Sequence, residues 1–194
     1  MNNKEELYSN YQNTETHQVI IQPGYVQQLP QAVYVPTQFT NGISLLQRAL
    51  EQPFRILTAV HSEQGYIFVS EHTKYGDNLV QFQRGMLNRR TLFILRHAPK
   101  SAETMAYHLQ NIETGKNLFI SADYKDHALI EARFGIDESR SRFRLLHDGF
   151  SNAIQLISED GYTLFASNDK KHGSYLVEAS SIAKRRATFT LEFT

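Results

Sequence analysis

Three short polar segments carry side chains suited to holding a ligand. His72-Thr-Lys74-Tyr75, Asp123-Tyr124-Lys125 and Asp169-Lys-Lys171-His172 each set a lysine two residues after an Asp or a His, and two of them add a tyrosine. Such mixtures grip sugars, because an aromatic face covers the C–H side of a ring while Asp and Lys bond its hydroxyls. The same composition also suits a solvated hairpin tip. A second set is basic: Arg89-Arg90, Arg140 with Arg142, and Lys184-Arg185-Arg186. Placed at one level around an axis, these seven cations would attract an anionic partner, whether phosphoinositide, sulfated glycan or acidic protein surface. Simple salt bridging explains them equally well, and Asp137 and Glu138 dilute the charge in the middle group.

Other chemistries find little support. Gly-x-Ser-x-Gly, His-Glu-x-x-His, Gly-x-Gly-x-x-Gly and the P-loop pattern are all missing from the chain. Asp123, Asp126 and His127 have the types of metal ligands, but three candidates in one loop read better as a solvated turn. The chain has no cysteine, which removes disulfides, thiolate catalysis and cysteine-ligated metals. No enzymatic activity, no metal and no cofactor is therefore expected. Lys+Arg and Asp+Glu both number 20, so the formal net charge is zero, which argues against a whole-protein grip on nucleic acid. The polar start Met1-Asn-Asn-Lys-Glu-Glu-Leu predicts neither a signal peptide nor a membrane span. Cytoplasmic residence is the default expectation, with signal-independent export left open.

The elements that must position these groups announce themselves by repetition. Glu63-Gln64-Gly65, Glu113-Thr114-Gly115 and Glu159-Asp160-Gly161 are turns of one type. Each is followed by an aliphatic residue, Phe, any residue and Ser: Ile67 to Ser70, Leu118 to Ser121, Leu164 to Ser167. Counting 14 residues on from each glycine reaches Leu79, Leu129 and Tyr175, and counting 25 on reaches Arg90, Arg140 and Arg186. Arg-x-x-Phe-x-Leu then recurs three times, with Phe93, Phe143 and Phe189 followed by Leu95, Leu145 and Leu191. Phe-x-Leu has the period of a half-buried strand. The turn glycines supply the positive φ of a tight turn, the serines satisfy backbone groups at a strand end, and the arginines bond turn carbonyls or repeat glutamates.

Each unit of about 45 residues holds four short strands and cannot bury its own apolar face. Three such units pooled around an axis predict an all-β fold, a β-trefoil of three pseudo-symmetric four-stranded repeats. The runs Phe143-Arg-Leu-Leu-His-Asp-Gly149, Ile154 to Ser167 and Phe189-Thr-Leu191 resemble the fascin-like β-trefoil repeat. Ala187-Thr-Phe189 is more weakly similar to the end of an AbfB-like carbohydrate-binding repeat. The fascin-like resemblance implies contacts with actin or another protein, and the AbfB-like one implies sugar binding. Two departures stand against the sugar signatures. The chain has no Trp for a ricin-type Gln-x-Trp, and Ser and Arg186 occupy places where an AbfB-like repeat has its His and Asp.

The chain therefore divides, by expectation, into an extension at 1–42 rich in Gln, Pro and Tyr, a short helix at 43–51, and a trefoil at 52–194 with repeats near 52–98, 104–148 and 152–194. Ser44 and Gln47 have capping-box spacing, Ile43, Leu46 and Leu50 form one stripe, and Pro53 ends the helix. The leading functional expectation is a lectin-like module that binds a glycan through the hairpin loops. The alternative is a fascin-like module that binds actin or another acidic protein through the basic ring.

Overall fold

The computed structural model describes residues 44–58, 64–99, 105–124, 127–147, 151–182 and 186–194, excepting the side chains of 122–124. The expected extension at 1–42 and Ile43 lie outside the described residues, as do Lys125, Asp126, Lys184 and Arg185. One helix, α1 (Leu45–Glu51), precedes the strands β1 (Phe54–Thr58), β2 (Tyr66–Lys74), β3 (Asp77–Gln83), β4 (Phe93–His97), β5 (Tyr107–Asn111) and β6 (Asn117–Tyr124). After them come β7 (Ala128–Arg133), β8 (Phe143–His147), β9 (Ala153–Ser158), β10 (Thr163–Lys171), β11 (Ser174–Ser180) and β12 (Phe189–Phe193).

Six of these strands close a ring. β1 pairs with β4, β4 with β5, β5 with β8, β8 with β9, β9 with β12, and β12 returns to β1, every pair antiparallel. Closure removes the exposed edges that a single repeat would leave. The repeat phenylalanines occupy equivalent rungs: Phe93 faces Phe54, Phe143 faces Tyr107 and Phe189 faces Ile154. Phe54, Phe93, Phe143 and Phe189 have no exposed surface, and Leu95, Leu109, Leu156 and Leu191 fill the space between them. Each repeat thus contributes one wall and one aromatic plug to a core it shares with the other two. This is the β-trefoil predicted from the repetition.

The remaining strands form three hairpins, β2–β3, β6–β7 and β10–β11, and these also meet one another: β3 pairs with β7, β7 with β11 and β11 with β3. Every hairpin shifts register once, between Val69 and Thr73, Ile120 and Tyr124, and Ala166 and Lys170. The repeat serine sits at this bulge. His72 N–H donates to Ser70 Oγ, and Asp169 N–H donates to Ser167 Oγ, both at 3.1 Å. Ser70 and Ser167 therefore hold a mid-strand bulge rather than a strand end, and the bulge re-aims the residues beyond it.

Two further expectations are corrected by the backbone. Gly115 and Gly161 do turn through positive φ (68° and 83°), whereas Gly65 does not. A Cβ on Gly65 would stand 2.7 Å from the carbonyl carbon of Gln83, so its glycine is needed for close approach of two strands. In the third repeat the partner of Leu79 and Leu129 is Leu176, not Tyr175. Register shows this, because Phe68, Phe119 and Phe165 face Gln81, Glu131 and Glu178.

Helix α1 starts where Ser44 Oγ accepts the Gln47 N–H at 3.1 Å. The reverse half of the capping box is replaced, since the Gln47 amide donates to Glu51 instead. Ala49 is fully buried in the core, and Leu45, Leu46 and Leu50 pack beside it. Pro53 holds Gln52 extended (φ −123°, ψ 143°) and so stops the helix.

Candidate functional site

Residues expected to lie in loops turn out to belong to strands. His72 and Lys74 close β2, Asp169 and Lys171 close β10, and the turns themselves are only Tyr75-Gly76 and His172-Gly173. Both residues of each turn have positive φ, 53° and 92° in the first and 53° and 82° in the second, the signature of a two-residue type I′ turn. Tyr and His are uncommon in that conformation, and each costs on the order of 1 kcal/mol or more there. Tyr75 is 87% exposed, so no packing compensates for it.

The antiparallel contact of β11 with β3 brings the third hairpin's tip against the first hairpin. His72 and His172, 100 residues apart in the chain, stack with ring centroids 3.9 Å apart and planes 20° apart. Both line a cleft of about 240 Å³, together with Phe68, Gln81, Gln83, Arg90 and Ser174. The Gln81 amide donates to the carbonyls of Lys171 (2.5 Å) and Ser174 (3.3 Å), which ties the two hairpins together. Ser174 Oγ donates to Gln83 Oε1 at 3.1 Å. Arg90 donates to the Val69 carbonyl at 3.1 Å and meets Glu71 at 3.5 Å. Stacking strips water from the His172 imidazole, and the His72 and Lys171 charges add to this, so its pKa falls below the ordinary value.

Pseudo-symmetry repeats this junction between the first and second hairpins, with different side chains. Asp77 and Arg133 stand where Ser174 and Gln83 stand in the cleft. Arg133 Nε donates to Asp77 Oδ1 at 2.9 Å, its Nη2 bonds the other carboxylate oxygen, and its guanidinium carbon lies 4.8 Å from the centre of the Phe119 ring. Asp77 holds the Arg133 guanidinium above its usual pKa. Glu131, the counterpart of Gln81, is 3% exposed, and burial, seconded by Asp77, raises its carboxyl against the pull of Ser121, Lys74 and Arg133. Lys74 acts on Glu131, so it belongs to this second junction. At the third junction the edge of His127 covers Phe165, with ring centroids 5.1 Å apart.

Of the nine expected ligand residues, the fold brings His72 and His172 to the cleft, with Lys171 contributing a carbonyl and a nearby charge. Lys74 stands at the next junction, Tyr75 is exposed in the turn of the first hairpin, and Asp169 is exposed on the third hairpin. The Asp123 and Tyr124 side chains and Lys125 are outside the described residues. Among the expected anionic-partner residues, Arg89 pairs with Glu113 (3.1 Å), Arg140 with Asp160 (3.7 Å), and Arg186 bonds Asn168. Arg142 is held by Asp137 (2.8 Å) and Glu159 (3.0 Å), with its side chain 12% exposed. These four are engaged within the fold, while Arg90 joins the cleft. Sequence reasoning missed Phe68, Gln81, Gln83 and Ser174. Polar residues at inward positions of β3 are the signal that points to Gln81, since buried polar side chains are the informative ones.

No family model and no curated protein matches the chain. Similar solved structures share its fold. A Caenorhabditis elegans protein of unknown function has a TM-score of 0.61 at 14% identity, over 73% of this chain and 93% of that one. A designed 3-fold symmetric protein, ThreeFoil, has 0.57 at 17% identity, over 71% and 96%. The ricin B-like lectin of Macrolepiota procera, in complex with lactose, has 0.53 at 14% identity, over 73% and 94%. No helix among the described residues is long and apolar enough to cross a membrane.

Proposed function

We propose that this β-trefoil is a non-catalytic binding module that seats a saccharide ring in the cleft between the first and third hairpins. One observation carries the reading: an aromatic ring, Phe68, lines a space of about 240 Å³ together with side-chain amides and hydroxyls. That volume is below the ~300 Å³ where drug-sized ligands begin, and suits a single ring. Phe68 would meet the C–H face, and Gln83, Ser174 and Asn88 would meet hydroxyls, as donor and acceptor groups of matching versatility. His72 and His172 form the rim. The fold supports the reading to the extent that a lectin in complex with lactose has it too. The fascin-like alternative needs cations available to an acidic partner, and Arg142 of that set is held by two carboxylates with its side chain 12% exposed.

A glycan array on the full chain tests the proposal, with Gln83→Ala and His172→Ala as variants. Binding that both variants abolish supports the cleft. A blank array, or binding that survives both, rejects it.

A further inference from the structure

The cleft is lined by several groups able to carry positive charge. Arg90, His72 and His172 all face it, and Lys171 lies beside His172 on β10. The acidic side chain on the lining is Glu71. Its side chain is 81% exposed and meets Arg90 at 3.5 Å, the geometry of a surface pair that holds weakly. The equivalent arginines are engaged differently: Arg140 meets Asp160 with both side chains about one-third exposed, and Arg186 bonds Asn168. Arg90 is also held by the Val69 carbonyl, an anchor that does not depend on Glu71, and it lines the cleft.

We infer that the cleft selects a sugar bearing an oxyanion, a carboxylate or a sulfate ester, with Arg90 and the stacked His72 and His172 as its counter-charges. This rests on the saccharide reading above and adds the ligand's class. A guanidinium matches the planar or trigonal oxygens of such groups with two parallel N–H donors. The oxyanion takes the place of Glu71 at Arg90, so one carboxylate is exchanged for another and no buried charge is stranded. The histidine pair makes the exchange depend on pH. His72 from β2 and Lys171 from the end of β10 act on His172, and Glu71 from β2 and Arg90 from the turn before β4 line the same cleft. Desolvation, followed by the charges of His72 and Lys171, holds the His172 pKa below its ordinary value. A bound anion reverses that balance, and binding takes up a proton in the imidazole range.

The test follows the side-chain resonances of His72 and His172 in the full chain during titration with sodium glucuronate, glucose 6-sulfate, glucose and inorganic sulfate. At about pH 5.5 the two acidic sugars should move both histidines and bind about tenfold tighter than glucose, a preference that shrinks toward about pH 8. Glu71→Gln should raise the acidic-to-neutral ratio several-fold, which a merely structural role for Glu71 would not do. Glucose binding as tightly as glucuronate overturns the inference and leaves the saccharide cleft standing. Inorganic sulfate matching glucose 6-sulfate also overturns it, since the sugar then contributes nothing. If none of the four probes moves either histidine, the inference fails, and a blank glycan array would then remove the saccharide reading as well.

Discussion

The junction between the first and third hairpins and the one between the second and first are built on the same backbone plan, yet neutral side chains line a cleft at one and an ion pair crosses the other. Phe68 and Phe119 are equally buried, at 6% exposure. Above Phe68 stand Gln83 and Ser174, two short neutral groups joined by one hydrogen bond. Above Phe119 stand Arg133 and Asp77, whose forked ion pair spans the gap and lays a guanidinium over the ring. A symmetric scaffold supplies equivalent places, and the side chains at two positions decide what stands over each phenylalanine.

The largest test of this comparison strikes the shared phenylalanine. Phe68→Ala and Phe119→Ala should each lower unfolding stability by about 3 kcal/mol or more, measured by chemical denaturation. Equal losses would mean that the hairpins are equivalent supports which differ only at the surface. A much smaller loss at Phe68 would mean that the cleft already relieves the packing there.

Exchanging the gatekeepers should have a middling effect. Asp77→Ser with Arg133→Gln should cost about 1 kcal/mol, a modest figure because the Arg133 side chain is 51% exposed and solvent screens the pair. The exchange should also uncover the Phe119 ring. The reverse graft, Gln83→Arg with Ser174→Asp, should leave stability equal or higher and abolish ligand binding. Binding that persists through the graft would break the assignment of the cleft.

The two hairpin tips offer a finer comparison. Tyr75→Gly should stabilise the chain by about 0.5–1 kcal/mol, because glycine accepts φ near 53° without strain and Tyr75 packs against little. His172→Gly relieves the same strain but should lose ligand affinity, since its ring forms the rim. A destabilised Tyr75→Gly would show a packing role at the first tip.

The smallest effect is gated by pH. Burial raises the Glu131 pKa, so the folded state favours the protonated carboxyl and bears the cost of the charge at neutral pH. Glu131→Gln copies the equivalent Gln81 and should stabilise the chain near neutrality. That gain should fade as pH falls through the raised carboxyl range, where the native glutamate becomes neutral too. A gain that is unchanged at acid pH would mean that desolvation is not the cause.

Much of the fold is legible because strands carry a local code. Phe93, Phe143 and Phe189 alternate with leucines, and their threefold recurrence in register demands a pooled core. The serine after each Phe-x pair was visible as well, although its bulge was not, since a register shift exists only between two strands. Counting from the glycines slipped in two places. Gly65 stands one residue nearer its Phe than Gly115 and Gly161 do, and Tyr175 stands one residue before the true equivalent, Leu176. Repeats tolerate single-residue changes in turns at small entropic cost, so distance along the chain is a poor ruler.

The candidate site was half legible, and its missing half shows where the limit lies. His72 and His172 have the side-chain types of a binding rim, but their stacking requires β3 and β11 to pair across 90 residues of intervening chain. Arg90 was visible as a member of a basic set, yet only its position beside Phe68 separates it from Arg140 and Arg186. By itself the sequence determined a triplicated β-structure closed on a shared aromatic core, because periodicity and repetition are properties of one chain read in order. Tertiary structure alone decided what each of the equivalent junctions presents, because that depends on pairs such as Gln83 with Ser174 and Asp77 with Arg133, whose members meet only after the ring has closed.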